Sequence, residues 1–265
     1  VAASAGNHAQ GVALAARSFG IPCTIVMPTA ASIPKVEATR GYGATIVLHG
    51  RDYDEAEQHA RQVMRERDLT FIHAFDDAEV MAGQGTIGLE LLREMEDVDI
   101  VVVPVGGGGL AGGIALAMKE TRPGVTIVGV QARASASFAD SYRAGRLVTV
   151  TGTPTIADGI AIGRPGGLTF PLVARYIDDM VVVDEEEITL ATQTWAFIRE
   201  NLSTALPTGV EASAENFGVV GHSRGAKVAW GALLKDATLA NALVGIDPVD
   251  NPGGFAAQDP VITGP

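Results

Sequence analysis

The sequence predicts an α/β chain in which parallel sheets lie between layers of helices, a three-layer architecture. Three observations predict it. Short runs that are apolar at nearly every position recur along the chain, "DIVVVPV" from Asp99 to Val105 being a clear example. Strands apolar on both faces suit a parallel sheet covered by helices. Between these runs lie segments whose apolar residues recur at helical spacing. Glycine-rich turns stand where strand gives way to helix, above all Gly106 to Gly109.

Composition bounds the rest. The 265 residues suit one or two domains, and 47% apolar residues suffice for a sizeable core. Thirty-one acidic against nineteen basic residues give a net charge of −12. That balance disfavours nucleic acid and anionic membrane as partners, because both need a basic face, and the surplus acid aids solubility. The single cysteine, Cys23, excludes an intrachain disulfide and fits a cytoplasmic protein. It opens an apolar strand, where a buried structural thiol is expected. No apolar run reaches the roughly 18 residues of a membrane span, and no signal peptide is visible. The chain starts "VAASAGNHAQ" inside a strand and stops at "DPVITGP", so both ends are expected to be cut.

The elements follow in order. "HAQGVALAARSFGIP" places Ala9, Val12, Ala13, Ala16 and Phe19 on one helical stripe, with Gly20 as its stop and Pro22 just beyond. "CTIVMP" is a strand ending at Pro28. "SIPKVEATRGYG" is a helix with Ser32 as N-cap and Pro34 in its first turn. "ATIVLHG" is the next strand, residues 52–67 a polar helix, and "TFIH" a strand. "AEVMAGQGTIGLELLREME" is a long helix loosened by glycines. "VTIVGVQA" and "DMVVVD" are further strands. Residues 146–170 are irregular and rich in Gly, Pro and Thr, which predicts a functional loop. From about Thr192 the pattern continues as helix, strand, helix, strand.

The loop Gly106 to Gly109 follows a strand directly, and a helix starts near Leu110. Four glycines let a backbone approach an anion with its amide hydrogens inward, and the helix N-terminus adds positive potential. This pattern reads as a phosphate cradle. Gly107, Gly109 and Gly112 formally fit G-x-G-x-x-G, but a dinucleotide site wants an acidic residue at the end of the next strand, where Gln131 stands.

"SAGNHAQG" at Ser4 to Gly11 is a second small, polar loop opening a helix. Together with "GGGGLAGG", "AGQGTIGLELL" and "TIADGIAIG" it resembles the fold-type II pyridoxal phosphate enzymes, and among them the threonine dehydratases and serine racemases. The resemblance covers about residues 1–190, with four motifs in family order. It implies a two-lobed fold with pyridoxal 5′-phosphate between the lobes. It also implies that Gly106, Gly107, Gly108, Gly109 and Leu110 hold the cofactor phosphate and that Asn7 meets the ring hydroxyl. Ser4, Ala5, Gly6 and His8 would then meet the substrate carboxylate. The reaction implied is loss of water from threonine or serine, then imine hydrolysis to a 2-oxo acid and ammonia. The implied partner is a small amino acid, with a homo-oligomer as the expected assembly.

That chemistry needs a lysine to hold the aldehyde as a Schiff base. In the family it sits in a Ser-Phe-Lys type motif ahead of the segment matching "SAGNHAQG". Lys35, Lys119, Lys227 and Lys235 stand in no such motif, and Lys35 and Lys119 read as exposed helix lysines. Covalent attachment of the cofactor is therefore not expected, nor is lyase activity in the chain as given. Some relatives bind a divalent cation through an acidic residue where Gln131 stands, so no metal site is carried over.

Gly221-His222-Ser223-Arg224-Gly225 is G-x-S-x-G between a strand, "FGVV", and a helix, which is the setting of a nucleophile elbow. The stretch of about residues 193–265, with "GHSRG" and "GIDPVD", resembles the middle of a chlorophyllase, an α/β-hydrolase. The resemblance implies Ser223 as nucleophile and Asp247 as triad acid, with Asp250 in reserve. A triad also needs a histidine after these two in chain order, and His8, His49, His59, His73 and His222 all precede Ser223.

The expectation is thus a fold-type II region at residues 1–190 joined to a partial α/β-hydrolase-like segment at 191–265, the seam near Thr189 to Gln193. Gene fusion, a misassembled reading frame and deliberate joining all fit such a chimera. Three functions stand beside one another: an ammonia-lyase, a carboxylic ester hydrolase using Ser223, and a catalytically dead protein that binds anions or cofactor.

Overall fold

The computed structural model describes residues 1–95, 97–189, 221–222 and 245–246. Its first sheet joins β1 (Ala2–Ala3), β2 (Thr24–Met27) and β3 (Thr45–Leu48) in that order, all parallel. Side chains alternate across a strand, so the central β2 feeds both faces. Ile25 and Met27 pack with Ala9 and Ala13 of α1 (Asn7–Ser18) and Val36 of α2 (Ile33–Gly41). Val26 faces the other way, onto Ala56 and Ala60 of α3 (Tyr53–Arg67). Three layers result, with alanines where helix meets sheet.

The second sheet joins β4 (Ile100–Pro104), β5 (Thr126–Ala132) and β6 (Asp179–Val183), again parallel and in that order. Val101, Val103 and Ile127 face α4 (Ala78–Glu94), α5 (Gly109–Thr121) and α7 (Thr169–Tyr176). Val102, Val128 and Val130 face Ala157, Ile160 and Ile188. A further helix, α6, spans Ser137–Ala144. Gln131, buried at the end of β5, starts it: its Oε1 accepts the amides of Phe138 and Ala139, both at 3.0 Å. Two short strands, β7 (Gly221–His222) and β8 (Gly245–Ile246), pair in parallel.

The glycines of α4 do not loosen it. They let it press against α5: a Cβ on Gly113 would collide with the Met81 carbonyl oxygen, and one on Gly88 would lie 2.9 Å from Met118 Cγ. Two other expectations are corrected. Phe19 is 79% exposed, beyond the last helical residue of α1, so its stripe ends at Ala16. Residues 70–73 are not a strand. The Val1 amino group donates to Thr70, and Ile72 donates back to Val1 at 2.9 Å, but β1 offers only two residues to pair with. His73 then turns the chain, its Nδ1 accepting the amides of Phe75 (3.2 Å) and Asp76 (2.9 Å). The stretch 146–170 is irregular as expected, apart from a single 3₁₀ turn at Asp158–Ile160 and the start of α7.

Candidate active site

The cradle is Gly106–Gly109, at the C-terminal end of β4, with α5 starting at Gly109. Its back is filled by protein. A Cβ built on Gly107 would collide with the Phe75 ring, and one on Gly109 would lie 2.8 Å from Phe75. One on Gly108, whose φ is +98°, would lie 2.5 Å from Phe138 and 2.9 Å from Thr169. The Gly107 carbonyl accepts the Thr169 hydroxyl at 2.5 Å and the Gly166 amide at 3.3 Å. No described residue accepts the amide hydrogens of Gly106 to Leu110. Gly107, Gly108 and Gly109 are nonetheless buried. A helix start whose buried donors have no acceptor among the described residues suits an anion.

The loop before α1 is built differently. Ser4 continues the strand, its amide donating to Val26 at 3.1 Å. Its hydroxyl accepts the Gly6 amide at 3.0 Å. Ala5 packs against the first core, Gly6 precedes the helix, and Asn7 is its first residue. His8 does not aim its ring at this opening. Its Nε2 lies 3.1 Å from the Ile72 carbonyl. Burial pushes its pKa down, partly offset by that carbonyl. The imidazole is therefore neutral, and only the His8 backbone stays at the helix start.

One short segment joins the two loops. Ile72 holds His8 on one side, and three residues on Phe75 packs against the glycines on the other. Sequence reasoning missed this segment. His73 shapes it, with Nδ1 as acceptor and Nε2 3.7 Å from Glu57. Burial lowers the His73 pKa and Glu57 opposes this. Asp76 then reaches across the chain to accept the amides of Gly167, Leu168 and Thr169 at 2.9, 2.8 and 3.1 Å. In the sequence, "DD" before a helix signals only a cap, and Asp77 alone has that role, bonding Glu79 and Val80.

Lys35 and Lys119 are not exposed helix lysines. Their side chains are 21% and 17% accessible, and they pair with Asp158 at 3.6 Å and Asp178 at 2.7 Å. Their aliphatic stems lie along the protein while the ammonium finds a carboxylate. Cys23 is half-buried, and burial raises its thiol pKa. Among the described residues no group of His, Cys, Asp and Glu is arranged to hold a metal ion. Ser223, Asp247, Asp250, Lys227 and Lys235 lie outside the described residues. β7 directly precedes Ser223 and its partner strand β8 directly precedes Asp247.

Comparison with known proteins gives two family matches. The model of pyridoxal-phosphate dependent enzymes matches residues 1–215, and that of chlorophyllase matches residues 170–264. An L-threonine ammonia-lyase of Thermotoga maritima is 54% identical over 188 residues, which are 71% of this chain and 47% of that protein. One from Geobacter sulfurreducens is 53% identical over 191 residues, 72% of this chain and 48% of that protein. The chain thus spans about half the length of these curated relatives. Among solved structures, maize serine racemase superposes with a TM-score of 0.77 at 32% identity, covering 93% of this chain and 70% of the other. The processed form of threonine deaminase isoform 2 from Solanum lycopersicum superposes at 0.76 with 34% identity, covering 95% and 70%. No described helix is long and apolar enough to cross a membrane.

Proposed function

The chain belongs to the pyridoxal-phosphate dependent enzymes, and from that premise we propose that it forms the phosphate- and carboxylate-binding part of an ammonia-lyase acting on threonine or serine. One observation carries the reading: the amides of Gly106 to Leu110, of which Gly107 to Gly109 are buried residues, have no acceptor among the described residues, at the start of a helix. They fit the cofactor phosphate in charge and direction. When bound, pyridoxal phosphate supplies an electron sink for negative charge at the Cα of the amino acid. The rest falls to the chain. The amides of Gly106 to Leu110 hold the phosphate, while Phe75, Phe138 and Thr169 close the loop's back to water. The backbone from Ser4 to His8, at the start of α1, receives the substrate carboxylate, and Asn7 turns toward the cofactor ring hydroxyl. The names of the relatives support threonine as substrate, with ammonia and a 2-oxo acid as products. A cytoplasmic, homo-oligomeric enzyme is part of the same reading.

Lys35 and Lys119 are committed to ion pairs, so neither anchors the aldehyde. The test adds pyridoxal phosphate to the protein and follows its absorbance with and without inorganic phosphate. Borohydride and peptide mapping follow, beside release of ammonia and 2-oxobutanoate from threonine. Binding that phosphate competes away, with no adduct on Lys35 or Lys119, is the expected result. Binding insensitive to phosphate overturns the cradle, and an adduct on either lysine overturns their assignment.

A second reading is ester hydrolysis by Ser223 with Asp247, and a boundary near residues 189–193. The chlorophyllase match supports it, as does the parallel pairing of the strands that precede these two residues. The two matched stretches overlap at residues 170–215, which contain that boundary. Labelling of Ser223 by a fluorophosphonate is expected if this reading holds. An unlabelled Ser223 in the folded protein ends it.

A further inference from the structure

The four glycines supply amides, but something must decide which way those amides point. A glycine peptide can flip, because no Cβ resists either orientation. At the centre of the loop the Gly107–Gly108 peptide is held from behind. Its carbonyl takes the Thr169 hydroxyl at 2.5 Å and the Gly166 amide at 3.3 Å. The chain has no cis peptide bonds among the described residues, so C=O and N–H lie on opposite edges of the peptide plane. With the carbonyl fixed toward Thr169, the Gly108 amide hydrogen points away from α7, to the side where no described residue accepts it.

Thr169 is itself held. It is fully buried and is the first residue of α7. That helix has no capping side chain of its own at Leu168. Asp76 caps it from 93 residues away, its carboxylate accepting three successive amides, with Thr169 the last of them. Charge-assisted bonds to a helix start are stronger than neutral ones. The same turn carries Phe75, which packs against Gly107 and Gly109. A line of contacts therefore runs from Asp76 through the start of α7 and the Thr169 hydroxyl to the Gly107 carbonyl.

We propose that Asp76 and Thr169 are positioning residues of the phosphate cradle, which set the direction of the Gly108 amide through the Gly107 carbonyl. The proposal rests on the reading of the loop as a phosphate site. Neither residue touches the phosphate. Thr169→Val keeps the shape of the side chain and removes the hydroxyl. The carbonyl then keeps only the longer bond from Gly166, and the peptide is free to turn. Asp76→Asn presents an amide group to one of the three backbone donors and loosens the same line from its far end.

The experiment measures dissociation constants of inorganic phosphate and of pyridoxal phosphate for the full chain, beside thermal melting. Thr169→Val is expected to weaken both ligands about tenfold, the worth of one oriented hydrogen bond. Thr169→Ser, which keeps the hydroxyl, is expected to restore wild-type affinity. Asp76→Asn, at a half-exposed position, should weaken both ligands in the same direction, and it covers the case in which Thr169→Val fails to fold. A structural role alone would lower the melting temperature of Thr169→Val and Asp76→Asn with ligand affinity unchanged, and that result overturns the proposal. A wild-type chain that binds neither ligand overturns the cradle reading beneath it. A wild-type chain that binds both, beside variants that bind equally well, overturns this proposal alone.

Discussion

Gly108→Ala separates two reasons for a glycine in the cradle. If Gly108 is there only to let a ligand approach, alanine should spare stability and harm binding. The structure gives the opposite order. Gly108 has φ +98°, in the left-handed region, where an L side chain costs about 1–2 kcal/mol. Its Cβ would lie 2.5 Å from Phe138 Cε2 and 2.9 Å from Thr169. Carbon atoms pack best at about 3.5–4.0 Å, so Phe138 and α7 must move. Phe138 is fully buried and cannot swing into solvent. Overpacking of this kind costs about 1–3 kcal/mol. The total is about 2–5 kcal/mol, a large part of the roughly 5–15 kcal/mol that holds a domain. With a urea slope of about 2–3 kcal/mol/M, the midpoint should fall by roughly 1–2 M. The assay is urea unfolding without any phosphate ligand. A midpoint equal to wild type, together with lost pyridoxal phosphate binding, would refute the packing argument and assign the glycine to the ligand.

Other outcomes follow from single contacts. Gly11→Ala, in the middle of α1 with nothing within 4 Å of its Cβ, should stabilise by about 0.5–1 kcal/mol; a drop in urea midpoint would show a contact the fold does not contain. Gly113→Ala collides with the Met81 carbonyl and should cost more than about 2 kcal/mol by forcing α4 off α5, read as a fall in melting temperature. Gln131→Leu removes the acceptor of two buried amides and should cost about 2–4 kcal/mol by urea unfolding, whereas a neutral result would mean that water replaces it. His8 and His73 both have lowered pKa values, so the unfolded chain binds more protons below about pH 6.5. Their contribution to stability is complete above that pH and is lost as pH falls toward the folded values. His8→Gln with His73→Gln should flatten the stability profile between about pH 6.5 and 5. An unchanged slope would contradict their neutral, buried state.

What the sequence disclosed and what it hid differ by range. Local signals were legible. The all-apolar runs at Ile25–Met27 and Val101–Val103 became buried strands, and Asp52 caps α3 by accepting the Glu55 amide. Gly20 ends α1 with φ +65°, as a C-terminal glycine should. Periodicity failed where an element depends on its partner. "TFIH" has strand chemistry, but β1 is too short to pair with it, and His73 bends the chain through its own backbone. Phe19 fitted a stripe that had already run past the end of its helix.

The glycine loop shows the same division inside one motif. Its run of four glycines reads as a ligand cradle, and its amides have no acceptor among the described residues. Yet Gly107, Gly108 and Gly109 are also demanded from behind, by Phe75, Phe138 and Thr169. These residues stand tens of positions away, so no spacing rule ties them to the loop. A motif records the conformation that a backbone must adopt. It does not record which surrounding side chains enforce it. Asp76 is the extreme case: in sequence it looks like half of a cap for the helix it precedes, and in the fold it holds the start of α7, on which the orientation of the Gly107 carbonyl depends. Residues that bind through their own backbone can be read from a sequence. Residues that aim that backbone can be read only from the fold.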